Sequence, residues 1–183
     1  MDKMNEKVFQ YGQHLEDSNI SYKNIIKDKL LGNENILNML DNEELKDHDP
    51  DDYYGVNFFP YYLLPETQVE VKNYICYETS FQEIPRYNTV MKLGQITFYI
   101  LCDCSKENIM DASGSARHDI LAGLITDDFN WCNDFGTQFK LVSDRPGAID
   151  NNYISRVLVF EQTIPNSIVR NQSVINNVRV NKQ

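Results

Sequence analysis

The sequence predicts an α+β fold: a mainly antiparallel four-stranded sheet with helices packed on one face, in the order helices-β-β-α-β-β. Three observations carry this. Apolar residues alternate with polar ones across Val90–Cys104. They recur at helical spacing in two places, around Tyr22–Leu30 and Ile120–Phe129. The chain has 183 residues and a hydrophobic fraction of 42%. That is enough for one core without disulfides or metal.

Residues 1–17 read as a flexible, polar leader. Ser18 or Ser21 can cap a first helix whose stripe is Tyr22, Ile25, Ile26, Lys29 and Leu30, with Gly32 as its left-handed end. Asn33 can open a second helix, with Ile36, Leu37, Met39 and Leu40 apolar, fading by Lys46. The acidic stretch Asp47–Asp52 holds Pro50 and reads as a linker. The block Tyr53–Leu64 is dense in aromatics and broken by Gly55 and Pro60. It is predicted to pack across a sheet edge or into a subunit contact, with packing into the domain's own core as the competing reading.

Two strands follow, Val69–Tyr77 and Val90–Cys104, joined as an antiparallel hairpin with an extended loop. In the second, Ile96, Phe98, Ile100, Cys102 and Cys104 share one face; Gln95, Thr97 and Tyr99 share the other. A third helix is expected over Ser115–Trp131, capped by Asp111, Ser113 or Ser115, with the stripe Ile120, Leu121, Leu124, Ile125 and Phe129. Thr137–Ser143 is the next strand, and Pro146-Gly147 suits a type II turn. Tyr153–Thr163 closes the domain. Val157–Phe160 is apolar on both faces, which predicts a strand central in its sheet. The domain therefore spans 18–163, and 164–183 is an extended or disordered C-terminal arm.

The net charge is −10. It argues against general affinity for nucleic acid, because phosphate repels a body of that sign. Residues 53–163 carry 14 acids against 8 bases, and the last twenty residues carry only Arg170, Arg179 and Lys182. No apolar run approaches the roughly 20 residues of a membrane span, and the first residues lack the apolar segment of a secretory signal.

The candidates for chemistry are few. Cys102 and Cys104 form a C-x-C pair, and a metal site would need Cys76 or Cys132 to converge on it. The competing reading is four reduced thiols, mostly small core residues. Asp47, Asp49 and Asp51 imitate the start of a calcium loop. Asp52 and Phe58 stand where that loop needs Gly and Glu, so the match fails. His118 precedes Asp119, but neighbours on a helix diverge by about 100°, so His118 is expected to be a surface residue. His14 and His48 lie in polar segments, and Asp127 with Asp128 reads as a wet helix face. Phosphate-binding glycine loops and the H-E-x-x-H zinc motif are absent from the sequence. No catalytic, cofactor-binding or metal residues are assigned, and a non-enzymatic protein acting through its surfaces is expected.

Three phrases carry a family resemblance. Phe58–Glu78 (FFPYYLLPETQVEVKNYICYE) resembles the proline-punctuated approach to the first strand in tail-completion, or tail-terminator, proteins of long-tailed bacteriophages. Ser115–Asn130 is similar to their central helix, and Phe135–Glu161, with LVSDRPG and RVLVFE, to their closing hairpin. The resemblance implies a homomeric ring, usually six-fold in the family, at the head-proximal end of the tail. Such a ring ends tube polymerisation and joins the tail to the head connector. The implied partners are other copies of the chain, the tail tube protein and the head stopper or connector. DNA passes through the ring without specific binding. The implied location is the tail or neck of a virion assembled in the host cytoplasm, with no cofactor and no membrane. The alternatives are another neck component, such as a head-closure or adaptor protein, or a small cytosolic metal-binding protein or enzyme using Cys102, Cys104, Cys132 and His118.

Overall fold

The computed structural model describes residues 18–63, 73–83, 91–104, 108–110, 114–148 and 153–165. The leader and most of the C-terminal arm lie outside that set. Helices α1 (Ser18–Gly32) and α2 (Glu34–Leu40) come first, then a single 3-10 turn, Pro50–Tyr53. Strands β1 (Phe58–Phe59), β2 (Asn73–Glu83) and β3 (Met91–Asp103) follow. A two-stranded ribbon, β4 (Ile109–Met110) with β5 (Ser115–Ala116), leads into helix α3 (Arg117–Phe129). Strands β6 (Lys140–Ala148) and β7 (Tyr153–Pro165) end the described chain.

The main sheet is five-stranded and mixed, in the order β1-β2-β3-β7-β6. The expected four strands are present and mutually antiparallel. The fifth, β1, is only two residues long and runs parallel to β2, with Phe58 opposite Ile75 and Phe59 opposite Cys76. A strand that short carries no alternation to read. It is fixed by side-chain amides instead. Asn57 donates to the Asn73 carbonyl (2.9 Å) and accepts from Asn42 (2.8 Å), while Asn73 donates to the Leu40 carbonyl (2.9 Å). The end of α2 is thereby tied to the sheet edge.

Helix starts and stops differ from expectation at three points. Gly32 ends α1 without a left-handed backbone, because Asn33 must be extended to cap α2, where its side chain accepts from the N–H groups of Asn35 and Ile36. The left-handed cap falls instead at Asp41 (φ 53°), so α2 stops at Leu40 rather than near Lys46. Asp adopts that conformation more readily than most residues. Helix α3 opens at Ala116 with no side-chain cap, since β5 runs straight into it. The acidic stretch also contains the 3-10 turn: Asp49 accepts from the N–H of Asp51, and Pro50 sits where no N–H is required.

Two strands are displaced. β2 runs from Asn73 to Glu83, later than the expected Val69–Tyr77; residues 64–72 lie outside the described set. Pro146-Gly147 is no turn. Both belong to β6, opposite Arg156 and Ser155 of β7. β6 pairs only with β7 among the described residues, and an edge strand tolerates a missing proline N–H. A Cβ on Gly147 would come within 2.8 Å of the Ser155 hydroxyl, so glycine lets the two strands approach. β7 lies between β3 and β6, as its two apolar faces predicted, and runs to Pro165.

All three helices cover one face of the sheet. Tyr22, Ile26 and Leu30 of α1, Ile36, Leu37 and Leu40 of α2, and Leu121, Ile125 and Phe129 of α3 form one cluster with Ile75, Tyr77, Ile96, Phe98, Ile100, Cys102, Leu158 and Phe160. Phe98 meets Phe129 (4.8 Å between ring centroids) and Phe160 (5.9 Å, edge-to-face) at its centre. Gln162 is buried there and bonds the Tyr22 hydroxyl, which donates to the Phe135 carbonyl. Helix α1, the loop after α3 and β7 are thus locked together.

Candidate docking surfaces

The other face of the sheet is built differently. Its positions are Tyr74, Cys76, Glu78 and Ser80 on β2, Leu93, Gln95, Thr97, Tyr99 and Leu101 on β3, and Tyr153, Ser155, Val157, Val159 and Glu161 on β7. A small cluster of Phe59, Tyr74, Cys76, Leu101 and Tyr153 is buried at one end, with Leu63 and Tyr99 packed on it. Among the described residues, the cover is the segment Phe59–Leu63 alone. Tyr62 packs at a tilt against Tyr99 (4.6 Å between ring centroids), and Phe59 meets Tyr61 at 5.8 Å. Further along, Val157 and Val159 stay half-buried, with Gln95 donating to Glu161 (3.0 Å) beside them.

Much of the aromatic block is therefore core. Tyr53 and Phe58 enter the helix-side cluster, and Phe59 enters the small one. Tyr61 and Tyr62 remain outside, 51% and 38% exposed. A second outward patch lies at the β6 edge. Trp131 is 53% exposed and holds a left-handed backbone (φ 64°); its N–H donates to the Phe139 carbonyl at 2.7 Å. Lys140 sits over the indole at 4.8 Å. Val142, 51% exposed, is the extra residue of a bulge between Leu141 and Ser143. Nothing in the sequence marks Trp131 as outward, because W-C-N-D reads simply as a helix end.

The residues singled out for possible chemistry do not converge, and His118 is not the surface residue expected. Its side chain is mostly buried, with Nε2 3.4 Å from Asp119 Oδ1. The approximately 100° separation applies to where the side chains leave the helix. Here Arg156 draws the Asp119 carboxylate sideways while holding Asp144 in a two-pronged contact (2.7 and 2.8 Å). These carboxylates push the Arg156 guanidinium still further above its ordinary value, led by the Asp144 hydrogen bond. The His118 Nδ1 has no hydrogen-bond partner among the described residues, so no nucleophile is poised against it.

The four cysteines are dispersed. Cys76 is buried on the small-cluster face and Cys102 on the helix face. Burial pushes their thiols up to about 11 and about 12. Cys104 is exposed just past the end of β3. Cys132 lies 3.0 Å from the Asp134 carboxylate, which also accepts from Lys29. Among the described residues, no group of three His, Cys, Asp or Glu side chains is placed to hold a metal ion. Asp128 accepts from Asn33 (2.7 Å), Asp127 is exposed, and His48 faces Asp52 at 3.4 Å. His14 lies outside the described residues.

Both outward patches lie within residues 33–162, the stretch matched by the profile of the YomW family. The chain belongs to the YomW family, which is phage-derived. The matched residues begin at the cap of α2 and end inside β7, so the YomW unit contains every strand of the sheet but not α1. No curated protein matches the chain. No helix among the described residues is long and apolar enough to cross a membrane.

Proposed function

We propose that the protein is a structural virion component: a tail-terminator, or tail-completion, protein that forms a ring at the head-proximal end of a phage tail. The ring ends tube polymerisation and presents a docking face to the head connector. The observation that carries this reading is the one-sided sheet, with helices on one face and, among the described residues, a five-residue aromatic segment over the other. Apolar side chains that a monomer would rather cover point outward there and at the β6 edge. Membership in a phage-derived family supports it. So does the resemblance of the strand-entry, central-helix and closing-hairpin phrases to tail-terminator proteins.

The acidic body suits a channel wall. Glu43, Glu44, Asp47, Asp49, Asp51 and Asp52 are all exposed, and like charge keeps passing DNA from sticking. The test is to label the protein on purified particles with gold-conjugated antibody and image them. Label at the junction of head and tail is the expected result, together with tails of irregular length when the gene is deleted. A normal particle without the protein overturns the reading. Label on the head side of the junction assigns it to head closure instead.

A further inference from the structure

The main sheet has two edges, and only one of them is blunted. At the β6 edge, the bulge at Val142, Pro146 and the exposed bases Lys140 and Arg145 interrupt the ladder that an added strand would need. β2, at the other edge, has none of these devices. Asn73–Glu83 holds no proline, lysine or arginine, and its register with β3 runs from end to end without a bulge.

One hydrogen bond shows which way β2 faces. The Ile75 N–H donates to the Asn57 carbonyl at 2.8 Å. Successive residues of a strand turn their backbone groups to opposite sides. Tyr77, Thr79 and Phe81 therefore aim N–H and C=O away from β3, while Glu78 and Ser80 aim theirs at it. β1 stands opposite Ile75 and Cys76 only. Beyond Phe59 the chain turns over the uncovered face, where Tyr62 meets Tyr99. Among the described residues, nothing pairs with the outward backbone of Tyr77, Thr79 and Phe81. Yet this stretch is not open to water. Tyr77 is fully buried, and Thr79 and Phe81 are half-buried beneath α1. The Tyr77 hydroxyl donates to the Lys23 carbonyl (3.4 Å), and the Phe81 ring meets Tyr22 at 5.0 Å. Buried backbone groups require partners.

The segment that reaches this edge is the leader. α1 begins at Ser18, and Asn19 accepts from the Thr79 hydroxyl at 3.0 Å. Residues 1–17 thus join the fold beside the middle of the unpaired stretch. Within the otherwise polar leader, Lys7–Tyr11 carries the strand formers Val8, Phe9 and Tyr11, and Gly12 follows. Residues 12–17 can span about 20 Å when extended, more than the roughly 13 Å from Tyr77 to Phe81. The C-terminal arm is worse placed. It leaves β7 at Pro165, opposite Met91, with β3 and β2 still to cross.

We propose that Lys7–Tyr11 adds to the sheet as its outermost strand, paired with Tyr77–Phe81 of the same chain. The leader then does for this edge what the bulge and the proline do for β6. It closes β2 to strand exchange between copies, and it stands apart from the ring reading.

Hydrogen exchange on the full chain, resolved by residue, tests this. The amides of Tyr77, Thr79 and Phe81 should be protected. A Phe9→Pro, Gln10→Pro double variant removes an N–H whichever of the two faces the edge, and should speed their exchange by about tenfold or more. Glu78 and Ser80, bonded to β3, should keep their rates. Edge amides that exchange freely in the parent chain, or that stay protected in the double variant, overturn the proposal. A disulfide scan decides the copy. In a background of Cys104→Ser and Cys132→Ser, Ser80→Cys is combined in turn with Val8→Cys, Phe9→Cys, Gln10→Cys and Tyr11→Cys. Bridges should form within one chain and at alternate leader positions only, since neighbours on a strand face opposite sides. Bridges at every position, at none, or between two chains overturn it.

Discussion

The two faces of the sheet are made from the same strands but do different work. The helix face buries a large continuous set of aliphatic and aromatic side chains, Tyr22, Tyr53 and Tyr77 among them, drawn from all three helices and from β2, β3 and β7. Among the described residues the opposite face buries only five hydrophobic side chains, at one end, with Ser155 beside them. Burial of an apolar side chain contributes about 1.5–3 kcal/mol, so the helix face must dominate stability. Over the opposite face, Tyr61 and Tyr62 stay partly exposed, as side chains of a contact surface do. The contrast separates what holds the subunit together from what it offers to neighbours.

The sharpest way to break that contrast uses two buried thiols, because Cys102 belongs to the helix face and Cys76 to the other. Exposed Cys104 should react with a maleimide at the rate of a free thiol. Cys76 and Cys102 should lag by a factor of about 10³ or more, since each needs an opening of the fold. Cys76 should react before Cys102. Its sulfur lies against the Leu63 carbonyl (4.0 Å) and is freed when the segment Phe59–Leu63 lifts. Equal rates for Cys76 and Cys102, followed by mass spectrometry, would mean that the two faces open as one unit.

Truncation gives the next largest effect. Phe98→Ala removes a ring that touches Tyr77, Phe129 and Phe160, and should cost about 3–5 kcal/mol in a urea titration. Leu101→Ala, on the small-cluster side of the same strand, should cost nearer ~2 kcal/mol, because its thin cover can settle into the space. A Leu101 penalty as large as that of Phe98 would make the second face an equal core. Arg117→Ala comes next. The guanidinium is 5% exposed and donates to the Met39 carbonyl (2.7 Å) and the Asp41 carboxylate (2.8 Å), joining α3 to the end of α2. Its loss should cost about 1.5–3 kcal/mol in the same titration, the range for a hydrogen bond to a charged group.

How much of this was legible in the sequence follows from how each element is stabilised. β3 and β7 were readable because Ile96, Phe98 and Ile100, or Leu158 and Phe160, repeat at a period of two against a buried face. The second half of β2, Glu78–Glu83, is mostly polar, so alternation gave no sign that the strand continues. β1 was invisible because amide bonds from Asn57, Asn42 and Asn73 fix it, not its own pattern. Gly32 and Pro146-Gly147 misled for a common reason. Both carry strong local turn signals that a tertiary demand outweighs: an extended cap at Asn33 in one case, an edge position beside β7 in the other. The aromatic block was legible as a surface-or-core element. Its division could not be read, because Phe58 and Phe59 are neighbours that enter opposite sides of the sheet. Trp131 carries no sequence signal of exposure at all.

The smallest expected effect concerns the Lys29–Asp134 pair (2.6 Å), which ties α1 to the loop that presents Trp131. The Lys29 hydrogen bond, with a second from Cys132, holds Asp134 below its ordinary value of 3.8. For Lys29 burial is the largest single influence and works downward, but the Asp134 hydrogen bond together with the nearby acidic groups of Cys132, Asp134 and Asp128 outweighs it, and the ammonium stays above 10.5. The signs differ at the two ends of the pH scale. The carboxylate contribution is fully present above about pH 3.8 and disappears as pH falls through the lower folded value. The ammonium contribution is fully present below about pH 10.5 and disappears as pH rises through the higher folded value. Asp134 is more than half exposed, so solvent screens the pair to roughly 0.2–0.5 kcal/mol. Asp134→Asn should therefore lower stability by that much at pH 7 and by progressively less as the pH falls below 3.8, measured by urea titration across that range. A larger loss at pH 7 would mean that the loop under Trp131 is rigidly coupled to α1. The outward tryptophan would then be part of the helix-side core's own architecture, and the division between the two faces would no longer hold at this corner.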